Sequence, residues 1–420
     1  MAFLNGSVSY SRFRVHGGGP KRLDEHLLDK LREHRIGSDK ILRSDMEESG
    51  WIGGRHLLDI EFDLEKNVLL DCLHYGLRID AHKPPPDLMR AYEQQEFDAL
   101  LKEASSVGTP KISRIRKEAR EAARSRIEDE LKEGRFRRQR QFPLFLDTQR
   151  DILYVSATSP AVHERLLPLF KNTFGKRLEP LTAGGLAISW AEHHNHTRQL
   201  ENLEPSAFVP HPENGLDSPY WTSHDPAARD WLGNEFLLWL WYTLEEESDT
   251  LEMEDNSDAA VVFVKQLALE CPWAETGKET ISCDGPTRLP ESRRAIQSGK
   301  LPRKAGMMLS RHGQQYEFTI QAETFNVSGA ALPKVEKEDE GASNGDGAVD
   351  SARVRNEERL EQIRHMAESI DLLYGAFLKH RLRTEWSKTR DTIRAWLRAG
   401  AGDKRAATAP AAASHETIGV

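Results

Sequence analysis

Two stretches of the sequence gather side chains able to do chemistry. "EHHNH" sets Glu192, His193, His194 and His196 almost side by side. On a helix His193 and His196 would share a face, and with Glu192 or a distant ligand they could hold a metal ion for phosphodiester hydrolysis. A rigid site needs three or four ligands, and no matching cluster lies nearby; His211 and His224 are remote candidates. Exposed histidines at a helix end are the simpler reading, so no metal is expected. The second stretch, "GRFRRQR", alternates Arg135, Arg137, Arg138 and Arg140 with Phe136 and Gln139 just before the apolar run "FPLFLD". Arginine forks meet phosphate oxygens two at a time, and cations that displace counterions supply most of the affinity for duplex DNA. Charge and an exposed aromatic are expected along one edge there. The alternatives are a solvated connection, or a scaffold segment that docks an acidic protein.

Other chemistry lacks its residues. The sequence contains no phosphate-cradling GxxxxGK[ST], no GxSxG, no HExxH and no zinc-deaminase signature. "GGGP" near the start is too short for a dinucleotide fingerprint. Three cysteines, Cys72, Cys271 and Cys283, form no CxxC pair, which suits buried free thiols better than a disulfide framework. No catalytic constellation or cofactor site stands out, so the expectation is a protein that is not an enzyme.

Charge is unevenly spread over the 420 residues. The chain totals −9, yet residues 111–140 carry twelve Lys and Arg against six Asp and Glu, leaving −15 elsewhere. Such a local excess points to a polyanionic partner. The longest apolar run, "FLLWLWYTL" from Phe236 to Leu244, is too short to span a membrane. A soluble, intracellular protein is expected, with this run as a buried helix or a subunit interface.

The elements that must position the basic stretch follow from periodicity. Val8 and Tyr10, then Leu58 to Leu64, then Val68 to Cys72 alternate as half-buried strands, with Glu65–Asn67 as a hairpin turn. "KPPPDLMRAYEQQEFDALLKEA" begins a helix at its prolines. Residues 110–133 form a helix with Ile112, Ile115, Ala119, Ala122, Ile127 and Leu131 on its apolar side, and Lys117, Arg120 and Arg124 together on another. Gly134 ends it, and Phe142–Leu146 and Ile152–Val155 follow as paired strands. Ser159-Pro160 opens a further helix that Gly175 closes. The acidic run from Glu245 to Asp258 reads as a solvated loop, and "MMLSRHGQQYEFTIQA" as a hairpin turning at Gly313. The expected divisions are 1–110, a DNA-binding region at 111–189, a Trp-rich region with the hairpin at 190–333, a linker at 334–352, a helix at 353–398 and a disordered tail at 399–420. This is α+β, with several antiparallel sheets and long helices.

The order of these features resembles the bacterial recombination-associated RdgC proteins. The matching pieces are Gly50-Trp51, the Pro-led helix, the basic amphipathic helix, "GRFRRQRQFPLFLD" with Arg135, Phe136, Arg138 and Asp147 in place, "ILYVSA", "VHERLLPLFKNTFG", "AIQSGK" and the hairpin. They fall mostly within 7–185 and 286–330. Residues 190–280 look expanded, the tail beyond 398 looks extra, and Asp284 and Gly285 stand where the family has a basic gate residue. The resemblance implies a ring- or horseshoe-shaped homodimer around double-stranded DNA, without sequence preference. It also implies restraint of a RecA-type recombinase and a cytoplasmic, nucleoid-associated location. The residues expected on DNA are Lys117, Arg120, Arg124, Arg135, Phe136, Arg137, Arg138 and Arg140. The rival reading is a metal-dependent nuclease built on Glu192, His193 and His196.

Overall fold

The computed structural model describes residues 3–44, 47–107, 111–208, 228–271, 277–286, 290–333 and 346–399. The fold is α+β with antiparallel sheets, and it divides into two compact units. Val15–Leu178 forms one; the segment up to Arg14 joins everything from Glu179 onward in the other. Neither residue 110 nor residue 189 is an edge of these units. No helix among the described residues is long and apolar enough to cross a membrane.

In the unit Val15–Leu178 the strands lie in the order Leu42–Ser44, Glu47–Ile52, Cys72–His82, Arg137–Asp147 and Ile152–Val155. Each neighbouring pair is antiparallel. Gly50 is required where it stands, because a Cβ there would meet the Ile36 backbone at 2.7 Å. Its neighbour Trp51 is fully buried, edge-on to Tyr75 at 5.2 Å, and donates its indole N–H to Thr173 Oγ1 at 2.7 Å. That bond ties the sheet to helix Pro160–Phe174, which ends at Gly175 with φ 68° as the glycine predicts. The expected strand at Leu58–Leu64 does not form. Asp59 instead accepts the Arg55 N–H and the Lys66 ammonium, folding 53–63 into a loop, and Asp63 caps the short helix Leu64–Asn67. Leu58 is consequently 65% exposed.

The longest pairing in this unit runs Cys72↔Asp147 to His82↔Arg137. Between these two strands the chain makes helices Pro86–Val107 and Ile112–Lys132, which pack on each other as an arm. Tyr92, Ala123 and Ile127 form its buried seam, with Leu88, Met89 and Leu131 against them. Ala123, rather than the expected Ala122, is the fully buried alanine of that turn.

In the other unit the strand order is Glu279–Pro286, Asp258–Glu270, Leu301–Arg311, Gln314–Gln321, Val327–Ala331 and then the strand Val8–Val15, which belongs to it as far as Arg14. The hairpin turns at His312-Gly313, both with positive φ, as a type I′ turn requires. Helix Leu232–Glu246 is buried from Leu232 to Leu244. Phe236 sits among Phe325, Tyr374 and Phe377, and Trp241 and Tyr242 meet Trp396 edge-on. The Trp-rich run therefore fills this unit's own core, and it leaves no apolar face to argue for self-association. Its covering helices are Asp346–Arg381 and Trp386–Ala399, two where one was expected, the first starting inside the expected linker. Residues 400–420 and 334–345 lie outside the described residues.

The acidic run that begins at the end of the Trp-rich helix is not merely solvated. Glu245 pairs with Arg293, Glu254 with His194 at 2.7 Å, and Asp255 with Arg311 at 2.5 Å. Burial alone would raise the Asp255 carboxyl, but bonds from Ser257 and Arg311 outweigh it and hold it at about 2. A carboxyl lowered in the folded state stabilises above its unfolded value, roughly 3.9. That contribution disappears as pH falls from about 4 toward about 2. Asp255→Asn should thus lower Tm at neutral pH and converge on the parent at the acid end. A gap that stays constant across that window would refute the assignment.

Candidate nucleic-acid interface

The basic stretch sits where the arm returns to the sheet. Helix Ile112–Lys132 ends in paired C-terminal bonds, Gly134 N–H to Leu131 O and Arg135 N–H to Glu130 O at 2.9 and 3.0 Å. Gly134 takes φ 81°, and Phe136 follows in the left-handed region at φ 63°. Phe136 is half-buried rather than exposed, so it is not the free aromatic that the sequence suggested. Strand Arg137–Asp147 then enters the sheet with an exposed outer half and a buried inner half beginning at Phe142.

Strand alternation divides the arginines. Arg137 and Gln139 point to one face, where both donate to Asp80 Oδ2, at 2.6 and 3.4 Å. Asp80 is fully buried and also takes the Arg78 fork, at 2.7 and 2.8 Å. Burial would raise this carboxyl, but the bonds from Arg78 and then Arg137 outweigh it, so it lies below the usual carboxylate range. Arg138 and Arg140 point to the other face. Both are exposed, neither has a carboxylate partner among the described residues, and Arg140 lies 5.1 Å over the Phe142 ring. The single edge expected from the sequence is therefore two faces with different charge balance.

The helical cations are similarly mixed. Lys117 and Arg120 stand 3.9 Å from Glu121 and Glu93, a loose and exposed pairing, while Arg124 is exposed with no ion pair among the described residues. Arg135 is shared between Glu130 at 3.4 Å and Glu133 at 3.5 Å. Of the eight expected residues, Arg124, Arg138 and Arg140 are the cations left open. Sequence reasoning missed the counter-charges Asp80 and Glu130, and with them Arg78 and Tyr92. "RID" at 78–80 carries a usable signal, since an arginine and an aspartate two apart on a strand share a face.

The histidine cluster does not assemble as a metal site. Helix Ala183–His193 ends at His193, and Asn195 turns the chain at φ 59°, so His193 and His196 share no helical face. His193 Nδ1 instead bonds Ser189 O at 2.6 Å, Glu192 is exposed, and Trp190 stacks on both His194 and His196. Among the described residues no three His, Cys, Asp or Glu side chains converge on a possible metal position. His211 and His224 lie outside those residues. Asp284 and Gly285 lie in the edge strand Glu279–Pro286. In comparison with known proteins, no family model matches the chain and no curated protein matches it significantly.

Proposed function

We propose that the chain is a non-enzymatic protein that binds double-stranded DNA without sequence preference through the outer half of strand Arg137–Asp147 and the basic face of the adjoining helix. One observation carries this reading: Arg138 and Arg140 stand exposed on one strand face, with no carboxylate among the described residues to neutralise them. Phosphate oxygens are the partners that such forks fit best. The stack of Arg140 on Phe142 limits its freedom and lowers the entropy lost on contact.

The resemblance to RdgC proteins supports the rest of the proposal. In that reading the protein acts as a ring-shaped homodimer in the nucleoid and modulates recombination by restraining a RecA-type recombinase. Self-association rests on that likeness alone, because the Trp-rich helix is spent inside its own unit. Light scattering at micromolar concentration should give twice the chain mass, and a monomer would remove the ring.

The interface itself is tested by two substitutions that should behave differently. Arg138→Ala should weaken binding to unrelated duplexes alike and reduce the salt slope by about one unit per subunit. Phe136→Ala releases no counterion, so any loss should leave the slope unchanged. Equal affinity of Arg138→Ala and parent across a salt series would contradict the reading.

A further inference from the structure

Arg135 and Arg137 are only two residues apart, yet their counter-charges hold them very differently. Asp80 grips Arg137 at 2.6 Å, as short as the strongest charge-assisted bonds. Glu130 faces Arg135 at 3.4 Å and Arg126 at 3.9 Å, attracting both without locking either. Its carboxylate is nonetheless nearly buried, with 11% of the side chain exposed. Tyr92 donates its hydroxyl to Oε1 at 2.7 Å, and Oε2 is buried with no hydrogen-bond partner among the described residues. Arg126 lies 3.8 Å over the Tyr92 ring. The neighbouring charges are Glu133, which shares Arg135, and Asp129, which is taken by Lys132 at 3.0 Å. An open cleft of about 550 Å³, lined by Ser125, Arg126, Glu130 and Arg135 among others, leaves both guanidinium groups room to move.

We infer that Glu130 sets the affinity of the interface by competing with DNA phosphates for Arg126 and Arg135. The inference rests on the duplex-binding reading above. Moving these arginines onto phosphate strips a carboxylate that is buried and already short of partners, and an uncompensated buried charge is costly. Glu130 is thus a built-in competitor: weak fields leave the arginines at home, and a dense line of phosphates draws them out. Asp80 differs because Arg78 remains with it whether or not Arg137 turns outward.

The test uses the full chain and a random-sequence duplex. Glu130→Gln keeps an acceptor for the Tyr92 hydroxyl, so the arm should fold as before, and an unchanged Tm confirms it. Any lost negative charge strengthens binding somewhat, so the control is Glu128→Gln, exposed on the same helix and outside this cluster. Affinity should rise about fivefold more for Glu130→Gln than for the control, the scale of about 1 kcal/mol for one shared counter-charge. The extra gain should vanish when Arg126 and Arg135 are both alanine. Equal gains in Glu130→Gln and Glu128→Gln would overturn the inference while leaving duplex binding intact. A loss of affinity would also overturn it, since Glu130 would then be positioning the arginines. Absence of salt-dependent binding by the parent would remove the underlying reading as well.

Discussion

Glu235→Ala is expected to destabilise the unit beyond residue 178 by about 3–5 kcal/mol, the usual cost of removing one partner of a buried ion pair. Glu235 projects from the Trp-rich helix and meets Arg381 at 2.6 Å, with side-chain exposures of 5% and 6%. The carboxylate also accepts the Ser206 N–H, and Arg381 reaches the Glu204 carbonyl at 2.6 Å. Trp386 and Trp231 lie 5.0 and 5.7 Å from the guanidinium. This one pair therefore joins the end of helix Asp346–Arg381, the Trp-rich helix and the segment near Ser206. Alanine at 235 leaves the Arg381 charge desolvated and without its counter-charge. Chemical unfolding followed by tryptophan fluorescence reports on this unit, because of the nine tryptophans only Trp51 precedes residue 179. A loss below about 1 kcal/mol, typical of an exposed pair, would show that Arg381 finds water or another anion.

The combined Arg138→Ala, Arg140→Ala variant should lose about thirtyfold in duplex affinity for each subunit engaged near 150 mM salt, with the slope about two units flatter per subunit. Each phosphate contact carries a salt slope of about 0.9, which is about fivefold in affinity at that concentration. Arg135→Ala with Arg137→Ala should cost less in binding, because carboxylates already neutralise these two. Arg137→Ala instead removes one of the bonds to buried Asp80, so its larger effect should be on the stability of the sheet edge. If both pairs cost the same in binding, the division of the strand into an open and a neutralised face is wrong as a guide to function.

Local signals in the sequence marked the elements well where one residue dictates the backbone. Gly134 and Gly175 end their helices in left-handed conformations, and His312-Gly313 makes its turn. Leu58–Leu64 misleads because period two is a pattern of side chains, and Asp59, with its backbone and lysine bonds, overrides it. The Trp-rich helix was legible as buried or interfacial, but not as which. Its covers, Tyr374, Phe377 and Trp396, come more than a hundred residues later. In the candidate site the division of Arg137 from Arg138 follows from strand alternation and was open to reading. The neutralisation of Arg137 was not, since Asp80 lies 57 residues away and meets it only through the register of the two strands. The histidines failed as a site for a related reason: a single turn at Asn195 breaks the face their spacing implies.

Duplex binding as a function of salt tests the central claim most directly. Full-length protein is titrated against a labelled random duplex, and against a second duplex of unrelated sequence, from about 50 to 300 mM salt. The expected result is the same affinity for both duplexes, falling linearly on logarithmic axes with a slope of magnitude about 2 or more per subunit, set by Arg138 and Arg140. No binding at the lowest salt, or binding whose affinity does not change with salt, would contradict it.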